Sequence, residues 1–143
     1  MDINYLYDIA SKEKIDVFDY KLLNINGVYI EELKTIGLGK SLNDTERKCV
    51  LAEELGHYYC NATYPISCTD KTLVDKAEYR AKKWATKALV SPNDIERIKS
   101  LGLQCKWEIA EELGVTEPIA ENVFDYLNIC CLLWRLQRFR CYR

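Results

Sequence analysis

The residues best placed to do chemistry lie in the run Leu51-Ala52-Glu53-Glu54-Leu55-Gly56-His57-Tyr58-Tyr59. Zinc helices of the His-Glu-x-x-His type set two ligands four residues apart on one face, with a glutamate between them as general base. Here Glu53 and His57 hold the ligand positions and Glu54 the base position, so a glutamate replaces the first histidine of the pattern. His57 is the only histidine in 143 residues, and any metal site must be completed by carboxylates or thiols.

Helical neighbours four apart share a face, which lets Glu53 and His57 reach one ion. Glu54 falls about 100° round the helix, beside that ion rather than on it. A catalytic zinc takes three protein ligands and keeps one position open. The third ligand must come from another element, and the next long helix offers Glu78 in Asp75-Lys76-Ala77-Glu78-Tyr79-Arg80-Ala81. Such a set suits metal-assisted hydrolysis of a peptide bond, with Glu54 taking the proton of the attacking water. The plainer alternative is an exposed Glu53–His57 pair at i,i+4, worth a few tenths of a kcal/mol.

Two thiols flank the run. Cys49 and Cys60 could each approach the same face, but Cys49, Glu53 and His57 span about 12 Å of helix axis, too far for one ion. A single thiolate beside Glu53 and His57 is sterically open; buried, reduced cysteine behaving as a small hydrophobe is the simpler assignment. Gly56 has no side chain, so another backbone can come close there.

The elements that must position these residues follow from periodicity and turn signals. Residues 2–13 read as a short helix, with Ile3, Leu6, Tyr7 and Ile9 at helical spacing. Val17-Phe18 and Gly27-Val28-Tyr29-Ile30 read as strands separated by the turn signal Asn24-Ile25-Asn26-Gly27, and Thr35 to Leu38 as a third. The main helix starts at Asn43 or Asp44 and runs to Tyr59; a loop carrying Pro65 covers 61–70. A second long helix covers about Thr72 to Val90 and stops at Ser91-Pro92, because proline disfavours helix in the residue before it. Asn93-Asp94 is expected to cap a short helix through Leu101, followed by helices over Trp107–Leu113 and Glu117–Arg138.

The expected fold is therefore α+β and mainly helical. A small antiparallel three-stranded sheet packs on a zincin-like active-site helix, with a helical C-terminal extension. Residues 1–92 form the core and 93–143 the extension packed on it, as one compact domain.

Composition bounds the rest. Hydrophobic residues make up 48% and charged residues 29%, which describes a globular chain rather than a disordered one. A formal net charge of −2 gives no global attraction to nucleic acid or an anionic membrane. No apolar run approaches the roughly 20 residues of a membrane span. The N-terminus lacks the basic and apolar regions of a secretion signal, so a cytoplasmic location is expected. Seven cysteines, an odd number with no Cys-x-x-Cys pair, argue for reduced thiols rather than a disulfide framework. One basic cluster, Arg135, Arg138, Arg140 and Arg143 interleaved with Trp134, Phe139 and Tyr142, reads as a solvated helix face whose aromatics dock on the domain.

With both long helices read, the chain resembles the ImmA/IrrE family of metallopeptidases found in mobile elements of Gram-positive bacteria. Gly27-Val28-Tyr29-Ile30 looks like that family's central strand, and Cys49 to Tyr59 looks like its active-site helix. Glu78-Tyr79-Arg80-Ala81-Lys82-Lys83-Trp84-Ala85, followed by Leu89-Val90-Ser91-Pro92, looks like its third-ligand helix and the loop after it. The likeness is good over about residues 5–92 and loose beyond. It implies a zinc-dependent protease, or protease-like regulator, that acts on a helix-turn-helix repressor and so switches a prophage or conjugative element. By position it makes His57 and Glu78 ligands and Glu54 the base; Glu53 is the departure. A Glu, Glu, His set is harder and more anionic than His, His, Glu, so it weakens the Lewis acid and admits Mn²⁺ beside Zn²⁺.

Two other classes compete. One is a catalytically inactive relative that works as a repressor-binding module. The other is a DNA-binding regulator using the 108–128 helix pair, where Glu108 to Val123 scans like a helix-turn-helix with Ala110, Gly114 and Val123 at packing positions. Its second helix begins with Glu117 and carries Glu121 and Asp125, which phosphates repel, so no direct nucleic-acid contact is expected. The loop over 61–71 and the tail after Trp134 are both candidates to cover a substrate groove.

Overall fold

The computed structural model describes residues 2–21, 24–65 and 67–140, with side chains described as far as Ile129. The side chains of the basic, aromatic tail, and those of Cys130, Cys131 and Cys141, lie outside the described residues. The chain divides into two compact units, Met1–Val90 and Ser91–Arg143. No described helix is long and apolar enough to cross a membrane.

The first unit opens with α1 (Ile3–Lys12), whose N-cap Asp2 accepts from the Asn4 N–H and which buries Leu6 and Ala10. Strands β1 (Asp16–Tyr20), β2 (Gly27–Ile30) and β3 (Thr35–Gly39) form one sheet in the order β1-β3-β2. The sheet is mixed, not antiparallel. β2 and β3 make an antiparallel hairpin through a 3-10 turn at Glu31–Leu33, with Lys34 left-handed at φ 46°. β1 pairs with β3 in parallel, Val17 opposite Ile36 and Asp19 opposite Leu38.

The central strand is β3, so the expectation that Gly27-Val28-Tyr29-Ile30 would be central is corrected: β2 is an edge. Sequence gives the physical reason. Thr35-Ile36-Gly37-Leu38-Gly39 has nothing charged on either face, and all five residues are buried. β1 carries Asp16 and Asp19 and is largely exposed, as suits an edge. The turn signal at Asn24–Gly27 closes no β1–β2 hairpin; instead the Asn26 carbonyl accepts the Gly39 N–H at 2.9 Å, carrying the chain across the end of β3.

The main helix, α2 (Asp44–Tyr59), begins with a capping box: Asn43 Oδ1 accepts from the Glu46 N–H, and Glu46 accepts from the Asn43 N–H, each at 2.9 Å. It buries Cys49, Leu51, Ala52 and Leu55 beneath the sheet. Arg47 ties three elements together by donating to Tyr7 of α1 at 3.2 Å and to Asp19 of β1. Helix α3 (Lys71–Leu89) starts on an Asp70 cap and buries Ala77, Ala81, Ala85 and Leu89, a stripe at four-residue spacing that lets α2 approach closely. Tyr59 stacks on Trp84 with centroids 4.9 Å apart, and Arg80 donates to the Cys60 carbonyl at 2.7 Å, closing the end of α2.

The second unit comprises α4 (Pro92–Leu101), α5 (Lys106–Leu113) and α6 (Glu117–Arg140). The cap of α4 is Ser91, with Pro92 in the first turn and Asp94 completing the box, rather than Asn93-Asp94. Proline needs no N–H at that position, so the break after α3 is also the start of α4. Gly102 and Gly114 end α4 and α5 in left-handed geometry, at φ 65° and 59°. Ile109 and Ala110 of α5 pack with Ile119, Ala120 and Val123 of α6, so Ala110 and Val123 of the helix-turn-helix pattern are buried.

Candidate functional site

Where α2 crosses α3 the backbones nearly touch. A Cβ on Gly56 would stand 2.4 Å from the Ala81 carbonyl oxygen, so only glycine permits the approach. The next residue, His57, is buried and aimed across that crossing. Its Nδ1 lies 2.8 Å from the Ala62 carbonyl oxygen, an atom that only accepts, so Nδ1 carries a hydrogen. Nε2 is thereby turned to Glu78 Oε1 of α3, 3.5 Å away. Two ligands at about 2.0–2.1 Å on a tetrahedral zinc stand about 3.3–3.4 Å apart, so these donors have the separation of a ligand pair. A histidine ligand whose other nitrogen is held by a carbonyl is also the usual supporting arrangement.

Residues after α2 wrap the pair. Asn61 turns the chain at φ 44°, the Ala62 N–H returns to the His57 carbonyl at 2.9 Å, and Thr63 donates to Glu31 at 2.7 Å. Tyr64 then donates to Glu78 Oε1 at 2.5 Å and sets its ring edge-on to His57, centroids 6.3 Å apart. Burial, then the bond to Glu78, pushes the Tyr64 hydroxyl up to about 12. Of the two candidate covers, the loop after α2 does lie on the site; the tail after Trp134 is outside the described side chains.

Glu54 is 9% exposed and sits under the edge strand β2. A Cβ on Gly27 would come within 2.8 Å of Glu54 Oε1, so this glycine, read from sequence as the end of a turn and the start of a strand, makes room for the carboxylate. Burial pushes the Glu54 carboxyl up to about 8, helped by the nearby charges of Glu78 and Glu53 and opposed by the Tyr29 N–H.

Glu53 is the misfit. Burial raises its carboxyl, and among surrounding charges Lys82 of α3 acts on it most strongly, ahead of Glu78 and His57. Among the described residues no three His, Cys, Asp or Glu side chains are gathered so as to hold one ion. His57 and Glu78 are together, and Glu53, one turn before His57 on α2, is not gathered with them as a third donor. The thiols do not complete it either: Cys49 is in the core and the Cys60 Sγ meets the Arg80 carbonyl at 3.6 Å.

Sequence reasoning missed the roles of Gly27, Ala62 and Tyr64.

A family model described as the IrrE N-terminal-like domain (Peptidase_M78) matches residues 10–123. No curated protein gives a significant match. The matched span takes in the sheet, α2 with its Glu53–Glu54–His57 run, and α3 with Glu78, and on that span the chain belongs to the IrrE N-terminal-like family of metallopeptidase-like domains.

Proposed function

We propose that this chain is a regulator built on a metallopeptidase fold, which inactivates a helix-turn-helix repressor of a prophage or mobile element by binding it across the face formed by α2, α3 and the loop between them. Family membership supports the metallopeptidase-like fold, and the class of partner is what the resemblance to ImmA/IrrE proteins implies. The observation that carries binding, rather than hydrolysis, is that His57 and Glu78 stand as a two-donor pair, with no third His, Cys, Asp or Glu gathered beside them among the described residues.

A second reading, zinc-dependent cleavage of the repressor, is favoured by one observation: the 3.5 Å His57–Glu78 separation with Nδ1 pinned to Ala62. In that reading Glu53, His57 and Glu78 hold Zn²⁺ or Mn²⁺ and Glu54 is the base. DNA binding through the 108–128 pair is disfavoured, because Glu117, Glu121 and Asp125 are all exposed on α6.

The test is release of a cognate repressor from fluorescent operator DNA, followed by anisotropy with mass spectrometry of the mixture, using wild type and Glu54→Gln. Binding predicts release by both proteins with the repressor intact. Fragments formed by wild type and not by Glu54→Gln would establish cleavage instead. No release by either protein sinks both readings.

A further inference from the structure

The side chain of Glu78 is 40% exposed, and among the described residues its carboxylate takes one hydrogen bond, from the Tyr64 hydroxyl at 2.5 Å. A glutamate on an open helix face is free to turn among rotamers, so its 3.5 Å approach to His57 Nε2 needs something to hold it. Tyr64 supplies the hold. Its hydroxyl bonds Oε1, the same oxygen that faces His57, and its ring stands edge-on to the imidazole.

Little else keeps this loop down. From Asn61 to Pro65 only Ala62 is buried. The bonds between His57 and Ala62 are local and turn the chain out of α2, with Asn61 left-handed at φ 44°. Two bonds reach other elements: Thr63 to Glu31 in the 3-10 turn after β2, and Tyr64 to Glu78 on α3. A surface segment held by exposed hydrogen bonds over little buried apolar area opens locally at low cost. Beneath it lies His57, 9% exposed.

We infer that the Tyr64–Glu78 bond is a latch, which closes the loop over His57 and whose release uncovers the imidazole. The coupling is reciprocal. A partner that lifts the loop frees Glu78, and a group that claims the Glu78 carboxylate loosens the loop. The inference stands whether a repressor is bound or cut, since it concerns only access to His57.

The experiment uses the full chain and diethyl pyrocarbonate, which acylates imidazole nitrogen. His57 is the only histidine, so labelling of its peptide, followed by mass spectrometry at about pH 8, above the ordinary imidazole range, reads access to a single ring. Wild type is compared with Tyr64→Phe, Glu78→Ala, Glu78→Gln and the double variant of Tyr64→Phe with Glu78→Ala, and thermal melts establish that each is folded. Tyr64→Phe keeps the ring and loses only the donor; losing a hydrogen bond to a charged acceptor should speed labelling about tenfold. Glu78→Ala removes the acceptor and should speed it to a similar extent. The double variant should be no faster than the quicker single variant, because both changes break one bond. Glu78→Gln keeps an oxygen acceptor and should label more slowly than Glu78→Ala. Equal rates in wild type and Tyr64→Phe overturn the latch, as do accelerations that multiply in the double variant. If Glu78→Ala does not melt cooperatively, Tyr64→Phe against wild type decides alone.

Discussion

Gly56 rests against the peptide of Ala81, with no room for a methyl group: a Cβ there would lie 2.4 Å from the carbonyl oxygen and 3.0 Å from the Ala81 Cα. The obstacle is helix backbone, which cannot rotate aside. Gly56→Ala should therefore force α2 and α3 apart and cost about 1–3 kcal/mol by overpacking, despite alanine's better helix propensity. Urea unfolding of the two proteins measures this, and a gain in stability would contradict the crossing geometry. The Nε2 of His57 would move away from Glu78 in the same variant.

Gly27 makes a comparable prediction on the opposite side of α2. A Cβ at this position meets Val50 Cγ1 at 2.4 Å and Glu54 Oε1 at 2.8 Å. Val50 is a side chain and can yield somewhat, so Gly27→Ala should cost about 1–2 kcal/mol. Amide exchange should locate the loosening at Gly27–Ile30, the edge strand, with β1 and β3 little changed.

The helices were legible in the sequence because their signals are local: Asn43 with Glu46 opens α2, Ser91-Pro92 separates α3 from α4, and Gly114 ends α5. The sheet was legible only as strands. Its order depends on which segment can be buried on both faces, and the charge-free β3 answers that once all three strands are compared. A turn signal at Asn24–Gly27 was the wrong guide, since turn residues also serve connections that close no hairpin.

The site divides in the same way. Glu53, Glu54 and His57 could be named together because one helix fixes their spacing, and Glu78 because the next long helix offers it and the family resemblance puts a third ligand there. Ala62 acts through its backbone carbonyl, which side-chain identity cannot announce. Tyr64 reaches the site by a loop path set by the left-handed Asn61, and no periodicity encodes that path. Whether Glu53 would gather with His57 and Glu78 was a question of packing between helices, beyond the reach of spacing within one.

The capping box of α2 gives a prediction independent of the site chemistry. Asn43 accepts from the Glu46 N–H and is answered by the Glu46 carboxylate. Asn43→Ala should cost about 1 kcal/mol, read as a lower urea midpoint at unchanged slope. Since α2 carries Glu53, Glu54 and His57 more than two turns further on, zinc affinity should not change. A shift in zinc affinity as large as the loss of stability would mean that the start of α2 is coupled to the site.

Glu54 sets the pH dependence of stability. Its carboxyl titrates at about 8 in the folded chain against 4.5 as the reference, so between those values the native state holds a proton that the unfolded chain has lost. An acid with a raised folded value destabilises as pH rises through that window: stability is greatest near or below pH 4.5 as far as Glu54 is concerned, falls toward pH 8, and levels off above it. Burial also raises Glu53, which adds to the fall in the same direction. Glu54→Gln cannot ionise and keeps an acceptor for the Tyr29 N–H, so its profile should lack most of the slope. Near pH 5 the variant and wild type should be close in stability. Near pH 8.5 the variant should be more stable by a few kcal/mol, because each tenfold change in proton affinity is worth about 1.4 kcal/mol. Urea unfolding of both proteins across that range decides it. Parallel profiles would mean that Glu54 is ionised in the folded chain throughout, with its charge compensated by something other than the neighbours described.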